Sequence, residues 1–250
     1  MHSWATSTEE KLGSHRLRHL LADATGVKTG VDRAVSAVTG EYADPDVVAD
    51  VLASLGKTAA ASYVRNKLPV GTRARSGDLG EIIGAHFATE ELGYRTIRRL
   101  RWKDHREMAM RGDDIIGVRA TSTGTLRFLK GEVKSRARLT TATVTEADLA
   151  LRRDKGRPSP HSLEFIVDRL YQQDEKDLAR AILSAQLVQG IAARQVDQLL
   201  FTFTGSDPRN LLRTNTNAYQ EAVRRLVVGL QVPDHQGFIA TVYTTVIANA

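Results

Sequence analysis

The sequence predicts a layered α/β (α+β) protein, with a central mixed sheet flanked by helices and a helical region ahead of it. Three observations carry this. Residues 94–134 hold three strand-like runs joined by short polar connections, the pattern of an antiparallel meander. Amphipathic stripes with capping signals recur on both sides of that meander. A 250-residue chain that is 42% hydrophobic and 26% charged can bury a sizeable core, which excludes global disorder.

Taken in order, Leu12, Leu17, Leu20 and Leu21 recur at roughly helical spacing behind Ser7 or Thr8, predicting a helix over 8–23. Asp44-Pro45 opens another, with Asp44 as N-cap, Pro45 at the first helical position, an apolar face from Val47 to Leu55, and Gly56 as the stop. A third spans 58–66. His2, His15 and His19 lack spaced acidic partners and read as solvated. The small, basic run Gly71-Thr72-Arg73-Ala74-Arg75-Ser76-Gly77-Asp78 marks a boundary, dividing an N-terminal helical region (1–70) from a domain over 71–250. Leu79, Ile82, Ile83, His86, Phe87 and Leu92 then follow a helical stripe over 78–92, closed by Gly93. Glu81 falls in its first turn, where a carboxylate is favoured with or without a chemical role.

The meander is read as strands over 94–102, 112–120 and 125–134. Its charges are unusual for strand-like sequence, because an isolated buried carboxylate or ammonium costs several kcal/mol (of that order) unless paired, metal-bound or solvated. Strand alternation puts Glu132 and Lys134 on one face and Val133 on the other. Asp114 and Glu132 each lie nine residues from Thr123, so an antiparallel pairing about that turn sets them opposite one another. Two carboxylates supply the hard oxygen ligands that Mg²⁺ prefers, and a neighbouring lysine can hold a water. The same residues would also suit a solvent-facing ion cluster at a sheet edge.

Beyond the meander, Thr145 caps a predicted helix to 153 with Asp148 at N3, and a basic, Pro-broken loop covers 155–160. Ser162 opens a helix carrying Phe165, Ile166 and Leu170; Asp174 or Asp177 opens the next, with Leu178, Ile182, Leu183 and Leu187 facing the core up to Gly190. A strand is expected over 196–204, a helix over 217–230 with Tyr219, Val223, Leu226, Val227 and Leu230 inward, and a β-branched strand over 237–247. Thirty-five Lys+Arg against 29 Asp+Glu give a net charge of +6 and favour an anionic partner; the basic runs Arg73/Arg75, Arg136/Arg138 and Arg152/Arg153/Lys155/Arg157 suit a solvated face or, being near the core motifs in sequence, phosphate contacts. Absence of cysteine excludes disulfides and thiolate metal sites. With no signal-peptide core and no run of 18 apolar residues, a cytoplasmic protein free of the membrane is expected.

A helix carrying Glu81, then Gly112-Asp113-Asp114-Ile115-Ile116, then Glu132-Val133-Lys134 resembles the PD-(D/E)XK nuclease superfamily and its restriction-endonuclease-like αβββαβ core. Glu-x-Lys alone is a weak motif; preceded by Gly77-Asp78-Leu79-Gly80-Glu81 and the Gly-Asp-Asp run it is more specific. Arg75 to Glu81 and the region 161–183 further resemble the HamA family of nuclease subunits from Hachiman anti-phage defence, a likeness covering residues 70–205. The resemblance implies DNA phosphodiester hydrolysis dependent on Mg²⁺ or Mn²⁺. Asp114 and Glu132 would hold the metal, with the Val133 carbonyl as a further ligand, Lys134 positioning the attacking water, and Glu81 contributing through a water or a second metal. It also implies control by a HamB-like helicase, for which residues 1–70 offer a docking surface. No proline precedes the acidic residue in Gly112-Asp113-Asp114, a departure from the superfamily's name-giving pattern that leaves Asp113 and Asp114 both open as ligands; register with Ile115-Ile116 and the hairpin count favour Asp114. The alternative is a non-catalytic nucleic-acid-binding or regulatory subunit that retains the nuclease fold.

Overall fold

In the computed structural model, which describes residues 1, 3–97 and 99–249, the chain opens with a hairpin of β1 (Thr6–Leu12) and β2 (His15–Leu21). The helix expected over 8–23 is therefore replaced by strands. His15, Leu17 and His19 are buried on alternate positions of β2, and the turn is made by Gly13 at φ +61°. Leucine spacing alone fitted either period; what decides is that β2 finds a parallel partner far along the chain. His15 and His19 are only 6% and 8% exposed, correcting their reading as solvated, while His2 lies outside the described residues.

Next comes α1 (Ala24–Tyr42), for which the sequence showed no distinct signal; it is capped by Asp23, whose carboxylate accepts from the Gly26 N–H at 2.7 Å. As expected, α2 (Pro45–Leu55) has Asp44 as N-cap and Gly56 as stop, and α3 (Lys57–Lys67) follows. The long helix α4 (Thr72–Glu90) begins at Thr72 rather than at 78, so the small, basic run forms its first turns. Glu81 consequently sits mid-helix, away from the N-terminus.

The strand predicted over 94–102 shrinks to β3 (Arg95–Thr96) and a 3₁₀ turn at Leu100–Trp102. The meander is completed by β4 (Ile115–Ala120) and β5 (Leu126–Arg136). Two helix starts move upstream: α5 (Thr141–Arg152) is capped by Thr140 rather than Thr145, and α6 (Pro160–Gln172) by Ser159, with Pro160 in its first turn, rather than by Ser162. After α7 (Lys176–Ser184) a π-type turn at Ala185–Gln189 leaves Leu187 70% exposed instead of core-facing. The strand β6 (Val196–Thr204) is as expected.

The C-terminal assignments exchange. Residues 217–230 are not a helix: α8 (Arg209–Ala218) ends early and β7 (Arg224–Gln231) follows. Leu226, Val227, Val228 and Leu230 are buried on both faces of a central strand, and such a continuous apolar run carries no period to read. Residues 237–247 form a helix instead of a strand, α9 (His235–Asn249), whose Phe238, Ile239, Val242, Tyr243 and Val246 are buried at helical spacing despite their β-branched neighbours.

All seven strands join one mixed sheet in the order β1-β2-β7-β6-β5-β4-β3, with β2, β7, β6 and β5 mutually parallel and antiparallel pairs at both edges. Helices cover both faces, the α/β arrangement that the sequence predicts. On one face the core gathers Val38 and Tyr42 of α1, Val64 of α3, Leu79 and Phe87 of α4, and Phe238 and Val242 of α9 over Phe201 and Val228. The other face buries α6 and α7 over Phe128, and α5 and α8 over Leu200 and Val227.

Candidate active site

The β4–β5 ladder pairs Ile115 with Gly131 and runs without a bulge to Ala120 and Leu126. One step beyond Ile115, the same register sets Asp114 across from Glu132. A side-chain contact fixes the approach: the Val133 N–H donates to Asp114 Oδ2 at 2.8 Å. Alternation along β5 keeps Glu132 and Lys134 together, and Lys134 Nζ lies 2.9 Å from Glu132 Oε1 with both side chains nearly nine-tenths buried. A second carboxylate reaches the same ammonium from α5, where Glu146 Oε1 stands 2.8 Å away and is largely exposed. Sequence reasoning passed over Glu146; its spacing from Lys134 carries no signal until α5 is laid on β5.

The third carboxylate arrives on α4. This helix packs close on β5 because it presents Gly80 and Gly84 to it: a Cβ at Gly80 would stand 3.2 Å from a Val133 methyl, and one at Gly84 would stand 2.9 Å from Ile115 Cδ1. Glu81, beside Gly80, thereby lines a small pocket of about 20 Å³ with Asp114, Arg99 and Glu41.

Burial and mutual repulsion govern the electrostatics. Burial, then the neighbouring Asp114 charge, push the Glu132 carboxyl up to about 7. The same two causes hold Glu81 well above the carboxylate range. Burial also raises Asp114, although the Val133 N–H, Lys134 and Arg99 all oppose it. Lys134 is raised: burial pulls it down, and its carboxylate partners Glu146 and Glu132 outweigh that. Asp114 is thus the shared neighbour of two carboxyl groups that burial and its own charge keep from ionising freely.

Asp113 faces elsewhere. Its Oδ2 accepts from the Ser159 N–H at 2.8 Å, its own N–H donates to Ser162 Oγ at 3.0 Å, and Lys130 Nζ lies 3.3 Å from its Oδ1. Lys130, 1% exposed, also donates to the Arg153 carbonyl at 2.8 Å, tying the end of α5 to the strand. Arg99 was not foreseen either. Its guanidinium donates to the carbonyls of Asp113, Arg111 and, at 3.0 Å, Asp114, clasping the backbone that carries the aspartates.

Of the basic candidates, Arg75 is committed internally, donating to the Pro69 carbonyl at 2.9 Å and lying over the Tyr243 ring. Arg73, Arg136 and Arg138 are exposed, and none forms an ion pair with a described carboxylate; Arg136 donates only to the Ser135 carbonyl at 2.8 Å.

The donor set fits a divalent cation. Asp114, Glu132 and Glu81 offer hard oxygen atoms in a buried setting whose cations, Lys134 and Arg99, do not relieve the repulsion that keeps their carboxyls raised. Among the described residues no three acidic or histidine side chains converge as a preformed metal cage.

A family model described as HamA matches residues 4–246. A Hachiman protein HamA from Bacillus cereus is 24% identical over 176 residues, which cover 70% of this chain. The chain spans 62% of that relative's length.

Proposed function

The chain belongs to the HamA family, and on that membership together with the site just described we propose that it is a metal-dependent DNA nuclease of PD-(D/E)XK type acting in Hachiman anti-phage defence. The observation that carries this reading is the register that sets Asp114 across from Glu132 with Lys134 beside them. Asp114 and Glu132 would hold Mg²⁺ or Mn²⁺, with the Val133 carbonyl as a further ligand and Glu81 reaching the site through a water. When bound, the ion would lower the pKa of a water and offset charge on a phosphate.

The chain's own side chains supply the rest. Lys134, kept protonated by its carboxylate neighbours, holds its ammonium protons where they can donate to a water or a phosphate oxygen. Arg99 fixes the Arg111 to Asp114 backbone, so that Asp114 is positioned before any ligand arrives. Buried Asp113 braces the strand entry against α6 and leaves Asp114 as the candidate ligand.

A helicase partner is part of the proposal. Its support is α2, which has no buried residue and exposes Val47, Leu52 and Leu55 at 43%, 49% and 71%. Among the described residues no helix is long and apolar enough to cross a membrane.

The test is degradation of plasmid DNA with Mg²⁺, Mn²⁺ or EDTA, with and without a co-expressed helicase subunit. Cleavage by the wild type that is absent in EDTA and in Glu132→Ala and Lys134→Ala supports the reading. Cleavage untouched by both substitutions would sink it. Salt-sensitive DNA binding without cleavage under every metal and partner condition would assign the chain instead as a nucleic-acid-binding subunit.

A further inference from the structure

Lys134 has two anionic partners of different character. Glu132 is buried with it, whereas Glu146 approaches from the solvent side at 2.8 Å with its side chain 65% exposed. Glu146 is the exposed member of this pair and Lys134 keeps its buried partner Glu132, so folding does not depend on the Glu146 contact. Two further cations lie along the same surfaces: Arg136 follows Lys134 by two residues on the same face of β5, and Arg153 follows Glu146 by seven residues, two helical turns on, just past the end of α5. After Lys134, both charges also hold the Glu146 carboxyl below its ordinary range. Both arginines are exposed and neither forms an ion pair with a described carboxylate. Arg153 is also well anchored, because its carbonyl accepts from buried Lys130, whose other partner Asp113 adjoins Asp114. The turn after it holds Asp154 and Lys155 at φ +56°, a left-handed backbone that aspartate adopts more readily than lysine.

We propose that the Glu146 carboxylate occupies the seat of a substrate phosphate, and that Lys134, Arg136 and Arg153 are the side chains that receive that phosphate once Glu146 is displaced. A carboxylate and a phosphate present the same kind of anionic oxygen to an ammonium and to guanidinium groups, and Arg136 and Arg153 add positive charge beyond what Lys134 shares with Glu132 and Glu146. Entry of a DNA phosphate exchanges one anion for another at Lys134 and releases Glu146 to water. Lys134 therefore does not stand bare in the resting protein. The assignment rests on the nuclease reading for the identity of the phosphate as part of DNA.

Binding of a fluorescent DNA duplex to the full chain, measured in EDTA across a salt series, tests this apart from catalysis. Glu146→Gln should tighten binding by roughly 3- to 10-fold at low salt, and Arg153→Gln should weaken it and shallow the salt dependence by about one unit. In a Lys134→Gln background the gain from Glu146→Gln should vanish, which a general change of surface charge would not produce. Glu146→Gln should unfold within about 2 °C of wild type, because Glu146 is exposed and Lys134 keeps its buried partner Glu132. An equal gain with and without Lys134, or no gain, overturns the seat. If the gain depends on Lys134 but no metal supports cleavage, the seat stands and the nuclease reading falls. If wild type cleaves and Glu146→Gln changes neither binding nor KM, the nuclease reading stands and the seat falls.

Discussion

Glu132 carries the most informative charge in the molecule, because its carboxyl is pushed from an ordinary 4.5 to about 7 by burial and by Asp114. A folded-state value above the unfolded one means that the folded protein holds the proton more tightly. Its contribution to stability is therefore complete below pH 4.5 and lost as the pH rises through about 7. Without metal, the wild type should melt lower at pH 7.5 than at pH 5, and Glu132→Gln should flatten that slope and melt above wild type at pH 7.5 in a thermal scan. Saturating Mg²⁺ should raise the wild-type midpoint at pH 7.5 and leave the Gln variant's largely unchanged. Lys130 has the opposite character. It is paired, buried and indispensable to the strand entry, so Lys130→Met strands Asp113 and should lower stability by about 3–5 kcal/mol in urea unfolding. Both aspartates were visible in the sequence. Which one turned toward Glu132 was decided by Ser159, Ser162 and Lys130, all distant from the Gly-Asp-Asp motif in the chain.

Among the elements, the β4–β5 hairpin was the most legible, because its register depends on local counting about one turn and its length is short. Elements whose identity depends on distant partners were not legible. Residues 15–21 became a strand by pairing with β7, and 237–247 became a helix by packing on α1 and α4. In α9 the helical spacing of Phe238, Ile239, Val242, Tyr243 and Val246 was present in the sequence, but the β-branched residues among them outweighed it as a signal. The sequence counting that set Asp114 across from Glu132 beside Lys134 agrees with the observed register, while the approaches of Glu81, Arg99, Lys130 and Glu146 needed the tertiary arrangement. The contact of α4 with β5 makes its own prediction. Gly84→Leu would drive a side chain into Ile115, Val133 and Phe201, and should cost about 1–3 kcal/mol while shifting Glu81 away from Asp114. Activity should then fall by more than the loss of folded protein, checked by plasmid degradation normalised to the native fraction from circular dichroism.

Considered whole, the molecule is held together by strands from its two ends. Leu17 and Leu20 of β2 are 3% and 1% exposed, and they lie opposite Val227 and Leu230 of β7. Deleting residues 1–22 should expose the β7 edge and yield aggregated protein on size-exclusion chromatography, whereas Leu52→Asp with Leu55→Asp on α2 should leave a monodisperse protein that loses co-purification with a helicase subunit. The β2–β7 pairing also bears on synthesis. About 200 residues separate these strands, which at 5–20 residues per second is roughly 10–40 s of translation. During that interval the amino-terminal hairpin has emerged from the ribosome with no strand to lie against. Tyr42 likewise waits for Tyr243, which bonds its hydroxyl at 2.9 Å. A nascent chain would therefore carry the Asp114 and Glu132 segments while the sheet behind them is still open. A ribosome stalled before residue 224 would hold a fragment without a completed sheet, and the candidate site would be framed only as the carboxyl-terminal strand and helix close the structure.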